Sequence, residues 1–124
     1  MNSEDVRATP PLYEKYQTTI DDLVELFYKK VIADETLAFF FTGVNMERQK
    51  RHMSAFLVYA LGGPNHYSGR NMARAHQGLQ ITEDHFRKVS DHLDIAMQET
   101  GVTPDDRMSI LDTVYRLRDD IVEQ

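Results

Sequence analysis

The chain reads as an all-α protein. Apolar residues recur at helical spacing in four segments, those segments open on polar capping patterns, and no stretch alternates apolar and polar residues as a half-buried strand would. With 124 residues, 41% of them hydrophobic and 27% charged, the chain suits one domain with a single core.

Residues 1–11 are polar, end in Pro10-Pro11, and are expected to form a loosely held arm ahead of a domain spanning 12–124. The first long helix is expected over 18–33, because Thr19-Ile20-Asp21-Asp22 resembles a helix start. Ile20, Leu23, Val24, Phe27, Tyr28 and Val31 then follow on one face. Asp34 to Thr36 open a short segment ending in Phe39-Phe40-Phe41, and Thr42-Gly43 stop it. Three adjacent Phe cannot share one helical face, so this corner must touch more than one neighbour.

Asn45 caps the next helix, whose inward stripe is Gln49, Met53, Phe56, Leu57 and Ala60, and Gly62-Gly63-Pro64 closes it. A loop-rich stretch follows to Gln80, with room for a short helix over about 71–80. Thr82, with Glu83 and Asp84 in the first turn, starts a helix that points Phe86, Val89, Leu93, Ala96 and Met97 inward and ends at Gly101. Thr103-Pro104-Asp105-Asp106 opens the last helix, expected to bury Met108, Leu111, Val114, Tyr115, Ile121 and Val122.

Composition removes several function classes. A net charge of −6 with dispersed Lys and Arg argues against nucleic acid or an anionic membrane as partner. The absence of cysteine excludes disulfides, thiolate catalysis, iron–sulfur clusters and thiolate zinc sites. Nothing approaches a membrane span, and Met1-Asn2-Ser3-Glu4-Asp5 lacks the pattern of a secretory leader, so a cytoplasmic protein is expected.

Polar residues on apolar stripes carry the functional signal. Tyr28, Gln49 and His52 lie on or beside the inward faces of two helices flanking the Phe corner, where an unpaired polar group costs roughly 1–3 kcal/mol. Each alone reads as a satisfied core residue; together they suggest a site. His76 reads by itself as an exposed histidine on a short surface helix. Its functional reading is axial ligation of haem iron, which requires a neutral imidazole with its other ring nitrogen held by an acceptor.

In this light the chain resembles the group I truncated haemoglobins from Leu12 onward. The residues that carry the resemblance are Leu12-Tyr13-Glu14-Lys15, Phe27-Tyr28 with Val31, Phe40-Phe41, Met46 with Gln49 and His52, and Ala55-Phe56. Beyond them stand Gly62-Gly63-Pro64, Tyr67-x-Gly69-Arg70-x-Met72, Ala75-His76 and His85-Phe86. The resemblance implies a truncated globin fold, a two-over-two helical sandwich around haem b. It makes His76 the proximal ligand and Phe41 the aromatic on the haem face. It makes Tyr28 and Gln49 distal donors, and His52 the counterpart of a residue that in some cyanobacterial members is a second axial ligand when no gas is bound; the alternative is a His52 that points to solvent or a propionate. Arg48, Tyr59 and Arg70 become candidates for the propionates, with Met72 lining the cofactor and Met53 the distal side. Taken singly, Arg48, Tyr59 and Arg70 read as solvated side chains.

The departures from the family pattern are specific. The Gly-Gly pair that usually follows the Tyr-Glu-Lys segment is absent, Lys15-Tyr16-Gln17-Thr18 standing there instead, and the stretch between His76 and His85 is shorter than in cyanobacterial relatives. Met53 stands where the family often has a glutamine. Tyr115-Arg116-Leu117-Arg118 occupies the region where some relatives carry a histidine bonded to a haem vinyl, so noncovalent haem is expected. The lack of Trp fits group I.

The resemblance implies a monomer that binds O2, NO and CO, with NO dioxygenation or detoxification of reactive nitrogen and oxygen species as an activity and a reductase as electron donor. The competing reading from a different class is a helical interaction module with structural histidines and no haem. A di-iron bundle is disfavoured because no Glu-x-x-His occurs, and His85 and His92 on one helix face do not by themselves make a metal site.

Overall fold

A computed structural model describes residues 12–63, 76 and 78–122 of the chain. Its elements are α1 (Leu12–Lys15), α2 (Ile20–Ala33), a 3-10 turn (Ala38–Phe41), α3 (Met46–Ala60), α4 (Glu83–Glu99), α5 (Pro104–Arg116) and α6 (Arg118–Ile121). The described residues contain no strand. The expected arm over 1–11 lies outside the described residues.

Among the described residues, four long helices close on one another in two pairs. α2 packs against both α3 and α4, and α5 packs against both α4 and α3, which surrounds one core. Leu23, Val31, Leu37, Leu57, Leu93, Met97 and Ile110 are its most deeply buried large side chains. Each such burial contributes about 1.5–3 kcal/mol relative to exposure.

All six apolar residues predicted for the face of α2 are buried. The helix begins two residues later than expected, because Thr19 makes no side-chain cap. Instead the chain winds out of α1 through a turn in which the Thr19 and Ile20 N–H groups donate to the Tyr16 carbonyl at 2.8 and 3.0 Å. A direct turn of this kind takes the place of the missing Gly-Gly pair.

α3 behaves as its caps dictate. The Asn45 side chain accepts from the Arg48 N–H at 3.1 Å. At the other end Gly62 takes a φ of +83°, and the Gly63 N–H donates to the Val58 carbonyl at 2.7 Å. A Cβ on Gly63 would lie 2.8 Å from that same carbonyl oxygen and 3.1 Å from the Tyr13 ring. Here glycine is demanded by close approach rather than by dihedral angle.

α4 buries Phe86, Leu93, Ala96 and Met97 as expected, with Val89 half-buried, and adds Ser90 to that face. The Ser90 Oγ has no hydrogen-bond partner among the described residues.

α5 corrects the sequence reading. Val114 is buried and Leu111 half-buried against the core as expected, but Met108 is 72% exposed and Tyr115 49% exposed, and Ile110, which the pattern did not assign, is 1% exposed. Packing against α3 and α4 centres the buried face on Ile110 and Val114, with Leu111 and Leu117 at its edges, and turns Met108 and Tyr115 outward. Tyr115 still sets its ring edge-on against Phe86 at 5.2 Å. The segment is also not one helix: it breaks at Leu117, whose N–H turns back to Val114 and Tyr115, and α6 follows, leaving Ile121 half-buried and Val122 buried.

Candidate functional site

Tyr28 is the polar centre of the core. It occupies the third turn of α2 and is 3% exposed, so its hydroxyl must be satisfied internally. Gln49, in the first turn of α3, donates its side-chain N–H to the Tyr28 Oη at 3.1 Å. Accepting that bond, the Tyr28 oxygen keeps its own proton as a donor.

Aromatic rings frame the pair. Phe41, at the end of the 3-10 turn, stands edge-on to Tyr28 with centroids 5.7 Å apart, and Phe27 does so from α2 itself at 4.9 Å. Edge-to-face packing of this kind fixes ring orientation and adds about 0.5–1.5 kcal/mol beyond area burial. The Phe corner divides as its sequence requires. Phe41 goes to Tyr28, Phe40 stands at 5.0 Å from the imidazole of His85, and Phe39 is exposed.

The remaining sequence-predicted residues fall into four groups. Met53 and Tyr59 are half-buried on α3 and pack against the core, Tyr59 tilted against Phe56 at 6.3 Å. Arg48 and His52 are exposed on the same helix. Arg70 and Met72 lie outside the described residues. His76 is helical and half-buried, its carbonyl accepting from the Leu79 N–H at 3.2 Å. Gly78 at φ +80° and Gln80 at φ +58° then turn the chain toward α4.

Two polar pairs were not read from the sequence as functional. Asp34, at the C-terminus of α2, accepts from the Thr36 N–H and hydroxyl at 2.9 and 2.6 Å and meets the His92 Nε2 on α4 at 2.8 Å. The Thr36 hydroxyl, then His92, then the Thr36 backbone hold the Asp34 carboxyl well below the ordinary carboxylate range. This clamp joins the corner bearing Phe41 to α4. The Asp-x-Thr spacing was its local signal; His92 had none. The second pair is the His85 Nδ1, which accepts from the Thr82 N–H at 3.1 Å and closes a capping box. His85 and His92, which share a helix face, therefore have separate partners.

A third network secures α1. The Asp106 carboxylate accepts from the Tyr16 hydroxyl and from Lys15. Those two bonds, the Tyr16 one foremost, lower its pKa, and the bond to Asp106 foremost raises that of Lys15.

The described residues hold no group of three His, Asp or Glu suited to a bare metal ion, and no helix among them is long and apolar enough to cross a membrane. A groove of about 470 Å³ between α2 and α3, lined by Leu26, Ile32, Met46 and an edge of Tyr28, has Glu25, Lys29 and Lys50 around it.

Comparison with known proteins gives a consistent answer. The model of the bacterial-like globin family matches residues 12–123. A group 1 truncated haemoglobin of Tetrahymena thermophila is 41% identical over 100 residues, covering 79% of this chain and 83% of the relative. Among solved structures, the ferric truncated haemoglobin of Tetrahymena pyriformis superposes with a TM-score of 0.82 at 36% identity, over 91% of this chain and 98% of that one. Three variants of that protein, altered at one tyrosine and at two glutamines, superpose with the same score. The 2/2 haemoglobin of Synechococcus sp. PCC 7002, in the cyanomet state with covalently attached haem, gives 0.81 at 35% identity, over 90% of this chain and 98% of that one.

Proposed function

Because the chain belongs to the bacterial-like globin family, we propose that it is a haem protein that reversibly binds diatomic gases. In this reading His76 holds the haem from the proximal side while Tyr28 and Gln49 face the gas. The observation that carries it is the buried Tyr28–Gln49 hydrogen bond. The Tetrahymena pyriformis variants were made at a tyrosine and at a glutamine 21 positions later (46 − 25), and Tyr28 and Gln49 are separated by the same 21.

The donor set fits haem better than a bare ion. A lone imidazole supplies one ligand, and the described residues offer no cluster to complete a coordination sphere. A tetrapyrrole brings four of its own and needs flat, apolar walls, which Phe41, Phe56 and Phe86 provide in the core or at its margin. Once held, the haem supplies the centre at which O2, NO or CO binds. Phe41 would pack against its face, Arg48, Tyr59 and Arg70 would hold the propionates, and Met72 would line the pocket. No histidine stands at Tyr115-Arg116-Leu117-Arg118, which supports noncovalent attachment.

Selectivity follows from the donors. The Tyr28 hydroxyl, oriented by Gln49 donating to its oxygen, would donate to a bound gas carrying partial negative charge. Hydrogen bonds to a charged acceptor contribute about 1.5–3 kcal/mol, so O2 gains more than CO. Met53 adds bulk but no donor, leaving the task to Tyr28 and Gln49. His52 stands exposed on α3 and must turn inward to act as the sixth ligand of the gas-free state. A ferrous spectrum unchanged by His52→Ala would remove that role.

The decisive experiment is absorption spectroscopy of the expressed protein reconstituted with haem. A Soret band that His76→Ala abolishes or alters, and that O2, NO and CO each shift, is the expected result. A colourless protein would return the chain to the helical interaction module. Mixing the oxygenated protein with NO and assaying nitrate then tests the dioxygenase form of the proposal, which also requires a reductase to supply one electron per turnover.

A further inference from the structure

The N-terminus of α4 is closed by an unusual partner. In the ordinary capping box the residue three positions past the cap is Glu or Gln, whose side-chain oxygen accepts the cap N–H over a wide range of pH. Here it is His85: the Thr82 Oγ1 accepts from the His85 N–H at 3.1 Å, and the His85 Nδ1 accepts from the Thr82 N–H at 3.1 Å. An imidazole nitrogen can accept only while it carries no proton. Protonation would set two N–H groups against each other and place a cation at the positive end of the helix.

The position of this bond gives it reach. Between His76 and α4 the chain runs through Gly78 and Gln80, both at positive φ. It is fastened by the Leu79 N–H on the His76 carbonyl, by the burial of Ile81, and by the Thr82–His85 box. His85 also touches the rings of Phe40 at 5.0 Å and Phe39 at 5.9 Å, so the same imidazole joins the His76 turn to the corner that bears Phe41.

The charges near it are engaged elsewhere. Glu83 is paired with Arg118, and Asp84 with Arg87 and Lys88. Lys88 also donates to the Thr36 hydroxyl, which is bonded to Asp34 in the clamp with His92. From the 3-10 turn, the groups in ring contact with His85 are the two apolar Phe.

We infer that His85 is a positioning residue that fastens the turn following His76 while its ring is neutral and releases that turn when the ring is protonated, making haem retention sensitive to mild acid. The capping switch stands on the geometry alone; its effect on haem rests on the function proposed above.

The test compares wild type with His85→Gln, whose side-chain oxygen accepts the Thr82 N–H without titrating, in haem transfer to excess apomyoglobin. Any effect of acid common to both proteins cancels in the ratio of their rates, which is the readout. That ratio is expected near one at about pH 8 and to rise roughly five- to tenfold by about pH 5, the size of a lost cap. A ratio constant across that range overturns the proposal. The second measurement is made on the wild type by NMR: the Thr82 amide shift should titrate together with the His85 ring nitrogens, and its exchange protection should fall in the same interval. An amide that stays protected while the ring titrates overturns it even if His85→Gln fails to fold. If the protein takes up no haem, the missing Soret band defeats the functional reading, and the Thr82 amide still decides the switch.

Discussion

Gln49, in the first turn of α3, donates a side-chain N–H hydrogen bond to the Tyr28 hydroxyl, in the third turn of α2, at 3.1 Å. The direction of that bond orders the pair: the glutamine orients, and the tyrosine donates onward. Tyr28→Phe is therefore expected to accelerate O2 dissociation by about 10- to 100-fold, the equivalent of one strong hydrogen bond, and to change CO dissociation far less. Flash photolysis or stopped-flow displacement measures both. Equal effects on the two gases would mean that the hydroxyl does not face the ligand.

Asp34 provides a prediction in pH. Its carboxyl is held below the ordinary range by Thr36 and His92, so its folded pKa lies beneath its unfolded one. The stabilisation is then complete above the usual carboxylate pKa and fades as pH falls below it toward the folded value. In Asp34→Asn the acid limb of stability against pH should flatten, and the variant should approach wild type in strong acid. Urea unfolding at a series of pH values checks it, and parallel acid limbs would contradict it.

Gly63 is constrained by space rather than by dihedral angle. With a Cβ due 2.8 Å from the Val58 carbonyl oxygen, Gly63→Ala must shift the end of α3 or break the hydrogen bond from the Gly63 N–H. A loss of about 1–3 kcal/mol is expected in chemical denaturation. Gly62→Ala strains a positive φ without a clash and should cost about 1–2 kcal/mol.

The register of α5 makes opposite forecasts for neighbouring residues. Ile110→Ala should cost about 2–5 kcal/mol as a core truncation. Met108→Lys, at a side chain 72% exposed, should stay within about 0.5 kcal/mol of wild type. Thermal or urea unfolding of the two variants checks the register, and a large loss in Met108→Lys would contradict it.

How far the site could be read from the sequence depended on distance along the chain. The polar residues Tyr28 and Gln49 stand out because they interrupt apolar stripes, and the resemblance assigns them a role. Their mutual hydrogen bond was not legible, since no pattern within either helix encodes a partner 21 residues away. The Asp34–His92 pair, 58 residues apart, was hidden for the same reason. Arg70 and Met72 lie outside the described residues and rest on the resemblance.

By itself the sequence determined the helical class and the helix starts at Asn45, Thr82 and Thr103, because a cap is satisfied within three residues and owes nothing to the rest of the fold. It also determined the buried face of α2, where a single stripe had no rival. The tertiary structure decided which face α5 would bury, how the three Phe of the corner were shared, and that His85 would serve as a cap while His92 gripped Asp34. Those outcomes depend on which surfaces meet, and helices joined by short turns can offer more than one apolar or polar face until packing removes the alternatives.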